Sequence, residues 1–302
     1  MDIRIPESMN QHIHGAQGAA WRARLPELLD TCCSRWELTP EPPFDAEHVW
    51  MKVNYIAPAR RGDEHVILKV MQSARTFCRE RDSLRLCGES AVRLLDADEE
   101  LQVLMLEHLR PGLPLAEVMD DDEATRIAAG VMRDYWQPAP VEHGLPTVEE
   151  RMQGFQRLRE RFDGGTGPIP ELWVCRAEEA FAQLQATSPP PTVIHGDFHH
   201  WNILRAERKP WLVIDPQGLV GDPGYEFGTL LGNRSTIGEP PMALRDVYDR
   251  RTRILSQELS IPRERILTWA WVHAVLYMWV SFKDGDEWEP HIARAETLRS
   301  LV

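Results

Sequence analysis

One stretch limits what this chain can fold into: His195-Gly196-Asp197-Phe198-His199-His200-Trp201-Asn202, with Ile214-Asp215-Pro216 further on. Between Asn202 and Asp215 lie Ile203-Leu204, a charged turn (Glu207, Arg208, Lys209, Pro210) and Trp211-Leu212-Val213-Ile214. Two short apolar runs around a polar turn predict a β-hairpin. A hairpin brings its ends side by side, so Asn202 and Asp215 are expected within reach of one ion, with Asp197 facing the same space from the preceding loop. An amide oxygen plus a carboxylate suits Mg²⁺, a hard ion that keeps several waters and takes few protein ligands beside substrate phosphates. Asp197 is then placed to orient or deprotonate a hydroxyl. Phosphoryl transfer needs that division of labour. Asp, Asn and Gly also form ordinary turns, so it is the spacing of the whole set that carries weight. His195 is expected to support the loop. His199 and His200 are neighbours that point apart, and are expected at solvated or core positions.

His-Gly-Asp-x-x-x-x-Asn followed by Asp resembles the signature of the aminoglycoside phosphotransferases, small-molecule relatives of the protein kinases. The run Ile214-Asp215-Pro216-Gln217-Gly218-Leu219-Val220-Gly221-Asp222-Pro223 is similar to that of the streptomycin 6-kinase and hydroxyurea phosphotransferase branch. There a lysine is usual where this chain has Gln217. The resemblance covers about Trp21 to Leu298. It implies an α+β, bilobal protein-kinase-like fold, with a small antiparallel-sheet N-lobe (1–109) and a mainly helical C-lobe (110–302). The Arg110-Pro111-Gly112 break is a natural boundary for these lobes.

Within the first lobe, Trp21–Leu29 reads as an amphipathic helix broken or started at Pro26. Strands are predicted at Trp36–Leu38, Val49–Ala59, His65–Val70, Val92–Asp96 and Leu101–Leu106. Lys69 sits in an otherwise apolar strand, where a lysine is unusual without partners. The resemblance pairs it with ATP phosphates and with a glutamate on the next helix. Glu80, followed by Leu84, fits that place; Asp82 competes for it, and an exposed edge-strand lysine is the plainer alternative. The resemblance also makes Glu107 to Leu109 the hinge whose backbone binds adenine. No glycine occurs between Gly18 and Gly62, so the loop Pro42–His48 lacks the glycines that let backbone approach phosphates closely.

Beyond Pro114 the chain reads as helical: Leu115–Tyr135, with Asp120 to Glu123 as a solvated acidic start, then Thr147–Phe162 and Glu171–Gln185. Two closing helices are predicted near Ala243–Leu259 and Pro262–Phe282. In the last of these, Trp269, Trp271, Leu276 and Trp279 are expected in the core. Asp222 and Glu226 are assigned to the substrate, with bracing of the catalytic loop or simple turn and cap roles as alternatives; Asn233 is undecided.

The net charge of −13 argues against nucleic-acid binding, which depends on basic groups that neutralise phosphates, and suits a cationic acceptor. The five cysteines lack zinc or redox spacing, so reduced thiols are expected. The longest apolar run, Trp269–Val280, is too short to span a bilayer. A soluble, cytoplasmic enzyme using ATP and Mg²⁺ is therefore expected. By resemblance its acceptor is a hydroxyl of a streptomycin-like aminoglycoside, which would give antibiotic resistance. A metabolite kinase acting on an amino alcohol or sugar, or a non-catalytic nucleotide- or antibiotic-binding protein, are the alternatives.

Overall fold

The computed structural model describes residues 5–7, 9, 13, 15–44, 53–232 and 243–301. Asn233 and most of the loop before the second strand lie outside these. The chain divides into two compact units, Met1–Gly112 and Leu113–Val302.

The first unit opens with helix α1 (Gly15–Arg35), which runs through Pro26 instead of breaking there. A proline inside a helix costs about 3 kcal/mol. Here the apolar stripe Leu25, Leu28, Leu29, Cys32 and Cys33 is buried along one face, which offsets that cost. Trp36–Leu38 is not a strand. The Trp36 and Leu38 amides donate to the Cys32 and Cys33 carbonyls at 3.0 and 2.8 Å, and Glu37 takes a positive φ of 54°. These residues close the helix, so their backbone is not available to a sheet.

Strands β1 (Thr39–Pro40), β2 (Asn54–Arg61), β3 (Glu64–Met71), β4 (Leu94–Asp98) and β5 (Val103–Glu107) form one antiparallel sheet in the order β1-β2-β3-β5-β4. Alternation puts Tyr55, Ala57, Ala59, Val66, Leu68, Val70, Val103 and Met105 in a common core with α1. Lys69, opposite Ile56 and Leu104, therefore projects from the other face of a central strand. Helix α2 (Ala74–Cys87) is capped by the Ser73 side chain and buries Phe77, Glu80, Leu84 and Cys87 at helical spacing.

A short strand, β6 (Pro111–Pro114), leads to the second unit. Helix α3 (Asp121–Tyr135) starts at the Asp120 cap. The acidic start is not wholly solvated: Asp121 is buried and paired with Arg250 and Arg251. β7 (Gln137–Pro138) is followed by α4 (Val148–Met152) and α5 (Gly154–Arg161), where one helix was expected. The break at Gln153 lets Gly154 lie against Leu276, whose Cδ1 would be 2.5 Å from any Cβ there.

Helix α6 (Glu171–Ala186) precedes β8 (Thr192–Ile194), β9 (Ile203–Ala206), β10 (Trp211–Val213) and β11 (Leu219–Gly221). The helices α7 (Glu226–Gly232), α8 (Leu244–Leu259), α9 (Arg263–Asp284) and α10 (Pro290–Arg299) close the chain, one more than expected after α8. Helix α9 buries Trp269, Trp271, Leu276 and Trp279, so its aromatic residues belong to the core. All five cysteines are free. Among the described residues no helix is long and apolar enough to cross a membrane.

Candidate active site

In the first unit the Lys69 ammonium donates to both carboxylate oxygens of Glu80, at 2.7 and 2.6 Å, and both side chains are buried. Asp82 is bonded instead to Arg81 at 2.8 Å. Burying a charged pair is costly unless its geometry is good, and the two-oxygen contact meets that condition. At the far end of β5, Glu107 exchanges backbone and side-chain hydrogen bonds with Arg93, and Leu109 is buried.

In the second unit the predicted hairpin forms. Val213 pairs with Ile203 and Leu212 with Leu204, and the Ile214 amide donates to the Asn202 carbonyl at 2.9 Å. Asn202 and Asp215 thus leave the same end of the hairpin. The Asn202 side-chain amide donates to the Asp197 carbonyl at 3.0 Å, which leaves its Oδ1 as an acceptor. A carbonyl oxygen beside a carboxylate fits a hard divalent cation. Asp215 has a positive φ of 58°, a conformation Asp tolerates better than most residues.

Two buried groups hold the catalytic loop. His195 donates from Nε2 to the Ile214 carbonyl at 2.8 Å and accepts at Nδ1 from the Asp197 amide at 3.2 Å. This fixes one neutral tautomer, and burial pushes its pKa down to about 4. The imidazole therefore ties the loop to the strand that carries Asp215. Glu226 accepts from the Gly196 amide at 2.7 Å. Gly196 itself has φ 81°, and a Cβ there would lie 3.0 Å from the Leu219 side chain, so only glycine fits without a shift.

Burial raises the Asp197 pKa, but the hydrogen bond and charge of His199, together with His195 and Gln217, bring it below the ordinary carboxylate value. A carboxylate held that low is a weak base. Positioning the hydroxyl and stabilising charge are its stronger contributions.

A family model described as Aminoglycoside/hydroxyurea antibiotic resistance kinase matches residues 49–285. The chain belongs to that family. It is 32% identical over 274 residues to a streptomycin 6-kinase of Streptomyces griseus, covering 88% of this chain and 87% of that one. Among solved structures, a choline/ethanolamine kinase family protein from Mesorhizobium loti has a TM-score of 0.62 at 12% identity, covering 94% of both chains. A thermostable mutant of aminoglycoside phosphotransferase APH(4)-Ia, in a ternary complex with ADP and hygromycin B, has a TM-score of 0.62 at 14% identity, covering 90% of this chain and 97% of that one. At these identities the structural likeness is one of fold.

Within this kinase two assignments to the substrate need correction. The Asp222 carboxylate caps the turn Pro223–Tyr225 by accepting from the Gly224 amide at 2.8 Å, and it also pairs with Arg265. Glu226 is fully buried under the catalytic loop. Both carboxylates have partners in the framework, so neither is available to an acceptor. Their turn-rich surroundings were the only local signal, and turns serve caps as readily as ligands.

Other site residues escaped the sequence reading. His199 lies beside Asp197, its Nε2 3.7 Å from the carboxylate, whereas His200 is wholly buried. Arg151, on α4, donates to Gln217 Oε1 at 2.8 Å. This orients the Gln217 amide so that its NH₂ faces away from the guanidinium, and Gln217 is among the groups that lower the Asp197 pKa. A guanidinium thus reaches the position where relatives of this branch are expected to carry a lysine, but through a neutral amide.

Burial lifts the Glu226 pKa from 4.5 to about 8. The folded state therefore holds this proton more tightly than the unfolded chain does. Its contribution is fully present below pH 4.5 and is lost as pH rises through about 8. Glu226→Gln keeps an oxygen for the Gly196 amide and cannot ionise. Thermal melts of this variant are expected to match the wild type in acid and to exceed it above the raised pKa; a parallel decline of both proteins across that window would contradict the assignment.

Proposed function

We propose that this kinase transfers the γ-phosphate of ATP to a hydroxyl of a streptomycin-like aminoglycoside. The reading is carried by the assembly of Asp197, Asn202 and Asp215 around one hairpin in a chain of this family. Asp197 orients the acceptor hydroxyl. Asn202 and Asp215 hold Mg²⁺, which when bound would neutralise charge on the phosphates. Lys69, oriented by Glu80, contacts phosphate, and the backbone of Glu107 to Leu109 receives the adenine. The acceptor is a cation, in keeping with the net charge of −13 and the streptomycin 6-kinase likeness. With Asp222 and Glu226 committed elsewhere, the exposed Asp284, Asp286, Glu287 and Glu289 are the carboxylates left to attract it.

ADP release measured with streptomycin, other aminoglycosides, hydroxyurea and amino alcohols tests this. Streptomycin is expected to give the highest kcat/KM, with a KM that rises with salt as screening shortens the field to about 8 Å at physiological ionic strength. Preference for a small amino alcohol, or a KM indifferent to salt, would favour a metabolite kinase.

Lys69→Met is expected to lower kcat/KM for ATP by about 10–100-fold, the worth of a charge-assisted hydrogen bond, and to affect the acceptor less. It also strands the buried Glu80 carboxylate, which destabilises the fold. The double variant Lys69→Met/Glu80→Gln relieves that strain, and the ATP defect should persist in it. Recovery of ATP kinetics in the double variant would make Lys69 a structural residue only.

A further inference from the structure

Three side chains in the first unit are given no role in the proposed transfer, although the backbone of one of them, His108, lies in the segment assigned to adenine. His65 stands near the start of β3, and His108 directly follows β5. Because Val66 pairs with Glu107, these two histidines come to the same end of adjacent strands. Glu41 follows β1 and is held there by its amide, which donates to the Pro58 carbonyl at 3.1 Å. The Glu41 carboxylate lies 3.0 Å from His65 Nδ1. One donor atom from each of the three residues lies within 4.8 Å of the others.

His108 makes the arrangement hard to explain as simple packing. Its Nδ1 is buried and has no hydrogen-bond partner, although a buried ring nitrogen normally finds one. The Phe44 ring meets it edge-on at 5.6 Å and the His65 ring at 6.1 Å, so its orientation is fixed by neighbours. Burial, with His65 and Arg110, pushes its pKa down, against the opposing pull of Glu41. Neutral imidazole is the form that ligates metal. The His65 and Glu41 side chains remain 33% and 22% exposed, so an ion has a way in.

We propose that Glu41, His65 and His108 form a divalent transition-metal site of the zinc class at one end of the five-stranded sheet. Two imidazoles and one carboxylate are a donor set that suits Zn²⁺, with a fourth, solvent position. The set is a poor match for Mg²⁺, which favours an oxygen environment. Tetrahedral bonds of about 2 Å place donor atoms roughly 3.3 Å apart, so from separations within 4.8 Å the side chains close by at most about 1.5 Å through rotation. The ring nitrogen of His65 that ligates the ion carries no hydrogen, and the neutral ring keeps its one proton on the other nitrogen. The Arg110 charge nearby opposes the ion, so the expected affinity is weaker than that of a closed structural zinc site.

The test uses the full chain, freed of metal by a chelator, and titrated with Co²⁺ as a spectroscopic probe and with Zn²⁺ by calorimetry. One equivalent of Co²⁺ is expected to give visible absorption of four-coordinate type, which Zn²⁺ then displaces. His108→Phe keeps a ring against Phe44 while removing the nitrogen, and His65→Phe does the same on β3. Each should weaken Zn²⁺ binding at least tenfold and abolish the Co²⁺ band, with circular dichroism unchanged. Asp215→Asn should leave both signals intact, which separates this site from the catalytic cation. Absence of one-equivalent binding in the wild type would overturn the proposal, as would a Co²⁺ band that survives both histidine substitutions or disappears in Asp215→Asn. If one variant fails to fold, Glu41→Gln decides: it retains an acceptor or donor for His65 but removes the anionic ligand, and undiminished affinity in it would also overturn the site.

Discussion

Replacing Asp197 by Ala is expected to lower kcat by about 10²–10⁴-fold, the usual worth of a positioned acid–base group, while Mg-nucleotide affinity stays close to wild type. Asp215→Ala is expected to lose transfer and Mg-nucleotide binding together. Both carboxylates stand beside His195, so the contrast depends on their different attachments. Asp197 is on a loop, bonded through its backbone to Asn202 and His195, and its carboxylate meets His199. Asp215 follows the second hairpin strand, one residue beyond Ile214, whose amide donates to the Asn202 carbonyl, and a cation there would take oxygens from both. Calorimetry with a non-hydrolysable Mg-ATP analogue, run beside steady-state kinetics, separates the cases. If Asp197→Ala lost nucleotide binding as severely as Asp215→Ala, the assigned roles would be wrong.

The largest effect on stability is expected away from the site, at Asp121. Its side chain is 1% exposed and that of Arg251 is 4% exposed. Arg251 Nε donates to both carboxylate oxygens, at 2.9 and 3.1 Å, and Arg250 adds a third contact at 2.8 Å. The cluster joins the start of α3 to α8. Burial raises the Asp121 pKa, but the two arginines more than reverse this and hold it below the ordinary value. The stabilisation is therefore present above that ordinary value and is lost as pH falls through the lowered one. Asp121→Ala leaves a buried guanidinium without its counter-charge, at a cost of about 3–5 kcal/mol. Whole domains are stable by only about 5–15 kcal/mol. Urea unfolding should show this as a lower midpoint. Asp121→Leu/Arg251→Met removes both charges and should recover most of the loss; a double variant no better than Asp121→Ala would show that the charges themselves are required.

What could be read from the sequence was mostly short-range. The hairpin followed from two apolar runs and a turn. Lys69 stood out because strand alternation leaves no reason for a lysine within an apolar run. Glu80, with Leu84 four positions on, came from the resemblance to the family and not from spacing alone. What could not be read depends on partners far along the chain. Arg151 and Gln217 are 66 positions apart and Arg251 and Asp121 are 130 apart, and no local pattern links them. Asp222 and Glu226 stood in a turn-rich run that suited a substrate contact, a loop brace or a cap, and no local pattern separates these. Their burial is decided by Arg265 and by the underside of the catalytic loop. The helix through Pro26 is a local rule overridden by packing: a stripe of five buried side chains outweighed one missing donor and one steric clash.

The Arg151–Gln217 contact also bears on how such a sequence can drift. A lysine at 217, which the resemblance to the branch implies, would bring a second cation beside the Arg151 guanidinium that now donates to Gln217. Like charges so close repel. Gln217→Lys alone is therefore disfavoured while Arg151 keeps its place. Arg151 and Gln217 are in this sense coupled: what one position tolerates depends on the charge at the other.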